Sequence, residues 1–424
     1  MKNIKNINVL VLGGGGREHA ICERLYLSSS IKTIYCFPGN AGIEKIAKIA
    51  NIDINNFDSI SKYCKKNNIN LVIPGSEQYL EKGITDYLKL EGISVVGPSK
   101  FASLLETSKL FTKKICSIAG IKTAKWLVSN DAKEAKKILK DKKFPLVIKM
   151  DSLAAGKGVL VARNLKEANK FLNTIMKGVL GNNDSKIIIE ECLSGEEGSF
   201  FFAVDGDNAK FLGSAKDYKR VGDGNKGLNT GGMGCISPSP KESKQVVRDI
   251  VKEIINPTLK AMKNLGYPFR GFLYAGVMFT KKGIYLIEYN VRLGDPECQA
   301  VLARLKTKFL NICLAIKKTN IKNLNIKISK NVSACVVLAS KGYPGFYSKE
   351  KEIIGLNHAK VNKKMLIYHA ATKKGKSGKL FTNGGRVLNI VAKEKSIKKA
   401  LELVYKKCRE IYWKGSFYRN DIGS

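Results

Sequence analysis

"INVLVLGGGGREHAICERL", residues 7–25, decides the fold class. An apolar run ends at Leu12, the glycines from Gly13 to Gly16 make a tight turn, and from Ala20 the apolar residues recur at helical spacing. This is a strand, a turn and a helix. "IKTIYCFPGN" (31–40), "INLVIPG" (69–75) and "GISVVGP" (92–98) read as three further strands with helical patterns between them. Strands that alternate with helices imply parallel βαβ units, so residues 1–103 are expected to form a doubly wound domain.

The glycine turn matches the dinucleotide fingerprint G-x-G-x-x-G only in part. Gly13 and Gly15 are in place, but Glu18 holds the third glycine position, and Cys36 and Phe37 end the second strand where an acidic residue would be needed. The turn still feeds a helix N-terminus, where free N–H groups and the helix dipole favour a phosphate.

At 424 residues the chain exceeds what one core fills, and 44% hydrophobic residues supply more than one. The text changes near Phe101 to "SLLETSKLFTKKICSIAGIKTAKW", a basic amphipathic helix. Beyond it lie a small α+β unit through Glu191, long strands such as "GFLYAGVMFT" (271–280), and a last block of short strands closed by a helix near 396–411. No apolar run approaches the ~20 residues of a membrane span, and the N-terminus moves straight into a strand without a signal-peptide cleavage region. A cytoplasmic protein without a membrane partner is expected. Ten cysteines are scattered with no two three apart, so reduced and mostly buried thiols are expected.

Lys and Arg number 74 against 36 Asp and Glu, a formal charge of +38. A field of that size attracts polyanions, yet the lysines are spread among Asn and Ile without an Arg-rich or aromatic-interleaved tract. Biased residue usage explains this better than a specific nucleic-acid partner.

"KMDSLAAGKGVLV" (149–161) sets Gly-Lys-Gly between two apolar runs. A P-loop would need a glycine at Asp151 and Ser or Thr at Gly158. Either another kind of phosphate loop is present, or the stretch is an ordinary glycine hairpin.

"IYLIEYNVRLGDPECQ" (284–299) is the most informative segment. Period-two alternation sends Ile287, Tyr289 and Val291 to one face and Glu288, Asn290 and Arg292 to the other. A carboxylate and an amide oxygen two residues apart are hard ligands suited to Mg²⁺, and Arg292 can hold an anion bidentately. The competing reading is a solvated strand face.

The ordered series "GGGGREHA", "PGN", "VVGPS", "SKLFTKK", "VIKMDSLAAGKGV", "GEEGSF", "LNTGGMG", "IEYNVRLGDPE" and "GGRVLNI", ending in "YRNDIG", resembles the glycinamide ribonucleotide synthetases, also called phosphoribosylamine-glycine ligases. The likeness runs the whole length. It implies an α/β and α+β multidomain fold: a doubly wound N-terminal domain over 1–103, an ATP-grasp core over 104–330 with a lid inserted at about 124–194, and a small α+β domain over 331–424. It also implies ATP-dependent ligation of glycine to 5-phosphoribosylamine in de novo purine synthesis through a glycyl phosphate, with Mg²⁺ or Mn²⁺. The chain would be monofunctional and monomeric, with a transient contact to the enzyme that supplies phosphoribosylamine.

Residue by residue, the resemblance assigns Lys109, Lys149, Gly156, Lys157 and Gly158 to the ATP phosphates, Glu190 to the adenine end, and Glu197 to the ribose hydroxyls. Glu288 and Asn290 would hold the metal, and Arg292, Lys149 and Asp217 would serve catalysis. Gly16, Pro38, Gly39, Asn40, Asn229, Thr230, Gly231, Gly232, Met233, Arg292, Gly294 and Asp295 would bind phosphoribosylamine. His19 would either help place the phosphoribosyl group or act as a cap. Four places depart from the family: Ser152 stands where glycine is common, Lys216 where Gln is usual, Tyr218 where His is usual, and the Ser-Asp often found near Thr307-Lys308 is absent. The alternatives are another ATP-grasp amine ligase, or a non-catalytic basic binding module that keeps the fold.

Overall fold

The first strand, Ile7–Gly13, lies in the middle of a four-stranded parallel sheet between Ile31–Pro38 and Leu71–Pro74, with Lys48–Ile49 at the edge. The computed structural model describes residues 6–153, 158–179, 185–356 and 364–424. Val9 and Val11 face one core, which includes Val301, Phe309 and Ile312, whereas Leu10 and Leu12 face another, which includes Phe202 and Leu273. Burial on both faces explains why this strand reads as an unbroken apolar run rather than an alternation.

The expected fourth strand is reduced to a single bridge, Val72 with Val95. Gly92 and Gly97 flank only four residues, and Pro98 cannot donate a ladder hydrogen bond, so little pairing length remains.

The helix Gly16–Tyr26 starts immediately after the glycine turn. Glu18 accepts from the Gly15 N–H at 2.6 Å, so the residue that spoils the dinucleotide fingerprint caps the helix instead. Gly16 leaves room for close packing: a Cβ there would lie 2.2 Å from Asn389 Nδ2 and 2.7 Å from Gln299 Nε2, so both side chains would have to shift. The helix start is therefore pressed against side chains from two distant parts of the chain.

A nine-stranded antiparallel sheet carries the rest. Its order is Gly283–Asn290, Arg270–Thr280, Glu196–Asp205, Ala209–Asp217, Gly234–Ser237, Val332–Ser340, Arg386–Glu394 and Met365–His369, with Ser416–Phe417 paired to Val332–Ser340. The last block of the sequence thus extends the central sheet. A separate four-stranded sheet, Trp126–Ser129, Ile187–Glu191, Leu146–Met150 and Val159–Ala162, packs its own core of Leu139, Ile148, Leu172 and Ile189 beneath the helices Ala132–Leu139 and Leu165–Met176.

The expected basic helix divides at Ser108 into Leu104–Thr107 and Lys109–Ala119, because the Ser108 hydroxyl caps the second by accepting from the Phe111 N–H. Among the described residues, no helix is long and apolar enough to cross a membrane. Nine of the ten cysteines are buried and all are free, as expected.

Candidate active site

A bulge on the edge strand sets the register of the acidic side. Glu288 pairs with Gly276 and Leu286 with Val277, so Ile287 is the extra residue. The alternation expected from the sequence is corrected there: Leu286, not Ile287, joins Tyr289 and Val291 in the core. Tyr289 meets Thr258 through its hydroxyl, deep inside. Glu288 and Asn290 keep the opposite face, with Asn290 paired to Tyr274.

Lys219 supplies the nearest cation to this face. Its Nζ is 3.6 Å from Glu288 Oε1 and 3.4 Å from Glu197 Oε2. Glu197 holds the Lys219 ammonium strongly protonated, with Glu288 reinforcing it against burial. Burial opposes ionisation of Glu288, but Lys219, Lys149, Lys109 and Arg292 together hold its pKa below the usual carboxylate range. Glu288, Glu197, Asp217 and Lys219 line one small cavity with Ser199 and Tyr274.

The cationic side comes from the small sheet and the neighbouring helix. Lys149, on Leu146–Met150, places Nζ 2.8 Å from Glu190 Oε2, and Lys113 places Nζ 3.0 Å from Glu190 Oε1. All three side chains are buried. Both oxygens of Glu190 face ammonium groups, so besides its expected place at the adenine end it anchors Lys149.

Lys109 donates to the Ser152 carbonyl at 2.9 Å, and burial lowers its pKa. Ser152 thus meets Lys109 through its backbone, which a glycine would serve equally. Gly158 accepts from the Met150 N–H at 2.8 Å and closes the base of the turn. Gly156 and Lys157 lie outside the described residues.

Arg292 is held between two carboxylates, Nε 3.0 Å from Glu77 Oε2 and Nη2 2.8 Å from Glu106 Oε1. Burial would raise the Glu77 pKa, but Arg292 and Arg17 bring it down to about 2. Glu106 also accepts from the Val291 N–H at 2.7 Å. Arg292 is therefore fixed in orientation by a surround that the sequence reading missed.

The loop 229–233 packs beside the turn after Arg292. Gly232 has φ +107°, and a Cβ there would lie 2.4 Å from Pro296 and 2.8 Å from Asp217 Oδ1. Arg386 ties the pieces together, donating to the Gly231 carbonyl and, at 2.7 Å, to the Asp295 carbonyl, with Nη2 3.4 Å from Asp295 Oδ2. Asp295 also accepts from Gln299 at 2.8 Å. Thr230 Oγ1 accepts from Gly232 N–H and donates to the Lys219 carbonyl, while Met233 is fully buried.

Asp217 Oδ1 is buried without a hydrogen-bond partner in the described structure, and burial with nearby Glu297 pushes its pKa well up. A group of that kind suits a cationic or N–H donor. Gly294, before Asp295, accepts through its carbonyl from the Cys298 N–H at the start of the next helix.

Two of the expected residues, Asn40 and His19, also have structural duties. The Asn40 amide donates to the Gly14 and His369 carbonyls, and its oxygen accepts from Gly42 and Ile43. This side chain clips the first turn to a late strand, and Gly39, donating to the Gly13 carbonyl at 3.2 Å, closes the same contact beside Pro38. His19 Nδ1 accepts from the His369 N–H at 2.9 Å. Burial drives the His19 pKa down to about 3, so it is a neutral acceptor at this interface.

Sequence spacing could have revealed Lys113 and Lys219. Lys113 follows Lys109 by four residues on one helix face, and Lys219 follows Asp217 by two in extended chain. Arg386 sits inside the quoted "GGRVLNI" motif, but nothing local distinguishes it from a surface arginine.

Comparison with known proteins supplies the family. Models for the phosphoribosylglycinamide synthetase N, ATP-grasp (A) and C domains match residues 7–106, 107–298 and 333–424. The chain is 42% identical over 419 residues to a phosphoribosylamine–glycine ligase of Caldanaerobacter subterraneus subsp. tengcongensis, covering 99% of this chain and 100% of that one. It is 43% identical over 414 residues to the chloroplastic enzyme of that name from Arabidopsis thaliana, covering 96% and 78%. The solved structure of the Thermotoga maritima phosphoribosylamine–glycine ligase superposes with a TM-score of 0.84 at 32% identity, covering 98% and 100%. Biotin carboxylase from Campylobacter jejuni, at 16% identity and a TM-score of 0.73 over 98% and 94%, shares the fold.

Proposed function

The chain belongs to the phosphoribosylglycinamide synthetase family, and on that premise we propose that it joins glycine to 5-phosphoribosylamine with ATP, releasing ADP and phosphate, as a step of purine synthesis. The observation that carries this reading is that the Lys109 and Lys149 ammoniums act on the Glu288 carboxylate, which Asn290 follows by two residues on the same strand. Phosphoryl transfer needs both, because catalysis there is positioning and charge neutralisation rather than covalent chemistry by the protein.

Glycine's carboxylate is a poor electrophile until it gains a leaving group. One carboxylate oxygen attacks the γ-phosphorus of ATP, ADP departs, and glycyl phosphate forms. The amine nitrogen then attacks the carbonyl carbon, loses a proton, and expels phosphate. Lys149, anchored by Glu190, and Lys109 hold the phosphates. Arg292, fixed by Glu77 and Glu106, presents its remaining N–H edge to an anion. Asp217, whose buried Oδ1 has an open acceptor site, receives an N–H from the amine substrate.

The residues fit a divalent ion. Glu288 is held ionised, its nearest ammonium at 3.6 Å is too distant for a full hydrogen bond, and Asn290 adds a hard oxygen beside it. Mg²⁺ or Mn²⁺ bound there would neutralise charge on the nucleotide phosphates. The loop 229–233, Gly16, Gly294 and Asp295 surround the phosphoribosyl end. The proposal extends to a cytoplasmic monomer that receives its labile amine by transient contact with the supplying enzyme.

Isotope transfer tests the acyl phosphate. Glycine labelled with ¹⁸O in its carboxylate should deliver one labelled oxygen to the released phosphate. Phosphate without label would exclude the glycyl phosphate route.

A further inference from the structure

Lys216 and Tyr218 are two of the positions where the chain departs from its family, and the structure shows where they point. Along the strand Ala209–Asp217 and just past it, Asp217 and Lys219 turn to the cavity. Tyr218 turns the other way, into a core with Ile236 and Trp413. Its hydroxyl donates to the Ser424 carbonyl at 3.0 Å, and Lys216 Nζ donates to the same oxygen at 3.2 Å.

Arg419 lies over the Tyr218 ring, 5.2 Å from its centre, and is 1% exposed. It donates to both oxygens of Asp421 at 2.7 and 2.6 Å, to the Arg220 carbonyl at 3.1 Å, and to Asn225 Oδ1 at 3.1 Å. Asp421 in turn accepts from the Gly224 N–H at 2.8 Å, and the Asn420 N–H donates to Asp223 at 2.9 Å.

These bonds run along a hairpin made of Arg220–Gly222 and Lys226–Asn229. The hairpin has almost nothing else to hold it: its residues are exposed or half-buried, and Leu228 is 65% exposed. An isolated two-stranded hairpin is marginal in water. Yet it begins at Lys219 and ends in the loop 229–233, and its base is tied by Thr230 N–H to the Lys219 carbonyl and Met233 N–H to the Tyr218 carbonyl.

We propose that residues 419–424 are a positioning element for the amine-substrate site, seated in a socket formed by Lys216, Tyr218 and this hairpin, and that they set Lys219 and the loop 229–233 in place without touching substrate. The proposal rests on the reading of that loop as part of the phosphoribosylamine site. It also explains why the two departures leave the cavity face intact: they belong to the socket.

Asp421→Asn and Tyr218→Phe, singly and together, test it by steady-state kinetics and amide hydrogen exchange. Asp421→Asn removes a charge from the pair, and Tyr218→Phe removes one hydroxyl while keeping the ring under Arg419. The amine KM should rise roughly tenfold in Asp421→Asn, the scale of one charge-assisted hydrogen bond. The ATP KM should rise much less, because Lys149 and Lys109 stand away from the tail and only Lys219, beside Glu197 and Glu288, links it to the ATP side. Exchange should quicken over 220–233, and the double variant should fall short of additivity, since both act through one tail.

Equal rises in both KM values, or an unchanged amine KM with a loosened hairpin, would overturn the proposal. If the unaltered enzyme ignores phosphoribosylamine, the substrate assignment has failed instead, and unchanged exchange over 220–233 would then reject the positioning element.

Discussion

Lys149 and Glu190 meet across neighbouring strands with Nζ 2.8 Å from Oε2, and Lys113 takes the other carboxylate oxygen at 3.0 Å. One buried carboxylate therefore serves two buried ammoniums. Glu190→Gln strands both charges and should cost about 3–5 kcal/mol, the range for breaking a buried pair. Lys149→Met leaves Glu190 with Lys113, so the fold should persist while the ATP KM rises and kcat falls. Urea unfolding of the two variants beside the parent checks the order. Equal stability losses would contradict the reading that Glu190 holds Lys113 as well as Lys149.

Glu288→Gln keeps size and hydrogen bonding but removes the charge that a divalent ion needs. A raised metal requirement and a kcat loss of roughly a hundredfold or more are expected, as for the loss of one electrostatic stabiliser. Tyr289→Phe is the control: its hydroxyl meets Thr258 in the core, so metal dependence should stay and stability fall by about 1 kcal/mol. A Tyr289→Phe enzyme with altered metal dependence would contradict the register.

The buried histidine pair makes the protein sensitive to acid. Burial lowers the His19 pKa to about 3, helped by His369 and Lys45, and burial with Lys45 lowers that of His369 to about 4. Both folded values lie below the unfolded value near 6.5. Their contribution is therefore complete above about pH 6.5 and is lost as pH falls toward 4 and then 3, by at most about 1.4 kcal/mol per pH unit for each histidine. His19→Asn keeps an acceptor for the His369 N–H and removes one titration. Thermal unfolding from pH 7.5 to 4.5 should show a shallower slope in the variant; parallel curves would refute the assignment.

The charge of +38 is spread over the chain. Binding to duplex DNA should be weak, indifferent to sequence, and steeply lost as salt rises from 50 to 200 mM. Sequence-selective binding that survives that salt would point to a nucleic-acid function.

Much of the site was legible because its residues sit on regular strands. Glu288 and Asn290 follow from alternation, and the first strand, turn and helix follow from a β-branched run before glycines. The reading slipped where a local irregularity intervenes. The bulge at Ile287 exchanges two side chains between faces, and a bulge leaves no mark in an apolar run. Long-range partners were invisible for a different reason: Glu77 and Glu106 reach Arg292 from about two hundred residues away, and nothing in their own surroundings distinguishes them from surface carboxylates. The structural duty of Asn40 was hidden because a "PGN" turn offers the same residues to a ligand or to the backbone, and here the backbone takes all four hydrogen bonds of its side chain.

The most direct measurement is ADP release in a coupled assay with ATP and Mg²⁺, run with glycine and phosphoribosylamine together, with each omitted in turn, and with alanine or serine replacing glycine. ADP release that requires both substrates, favours glycine, and yields a glycinamide product is the predicted result. Turnover that proceeds without phosphoribosylamine, or that prefers another amino acid, would contradict the assignment of this site to glycine–phosphoribosylamine ligation.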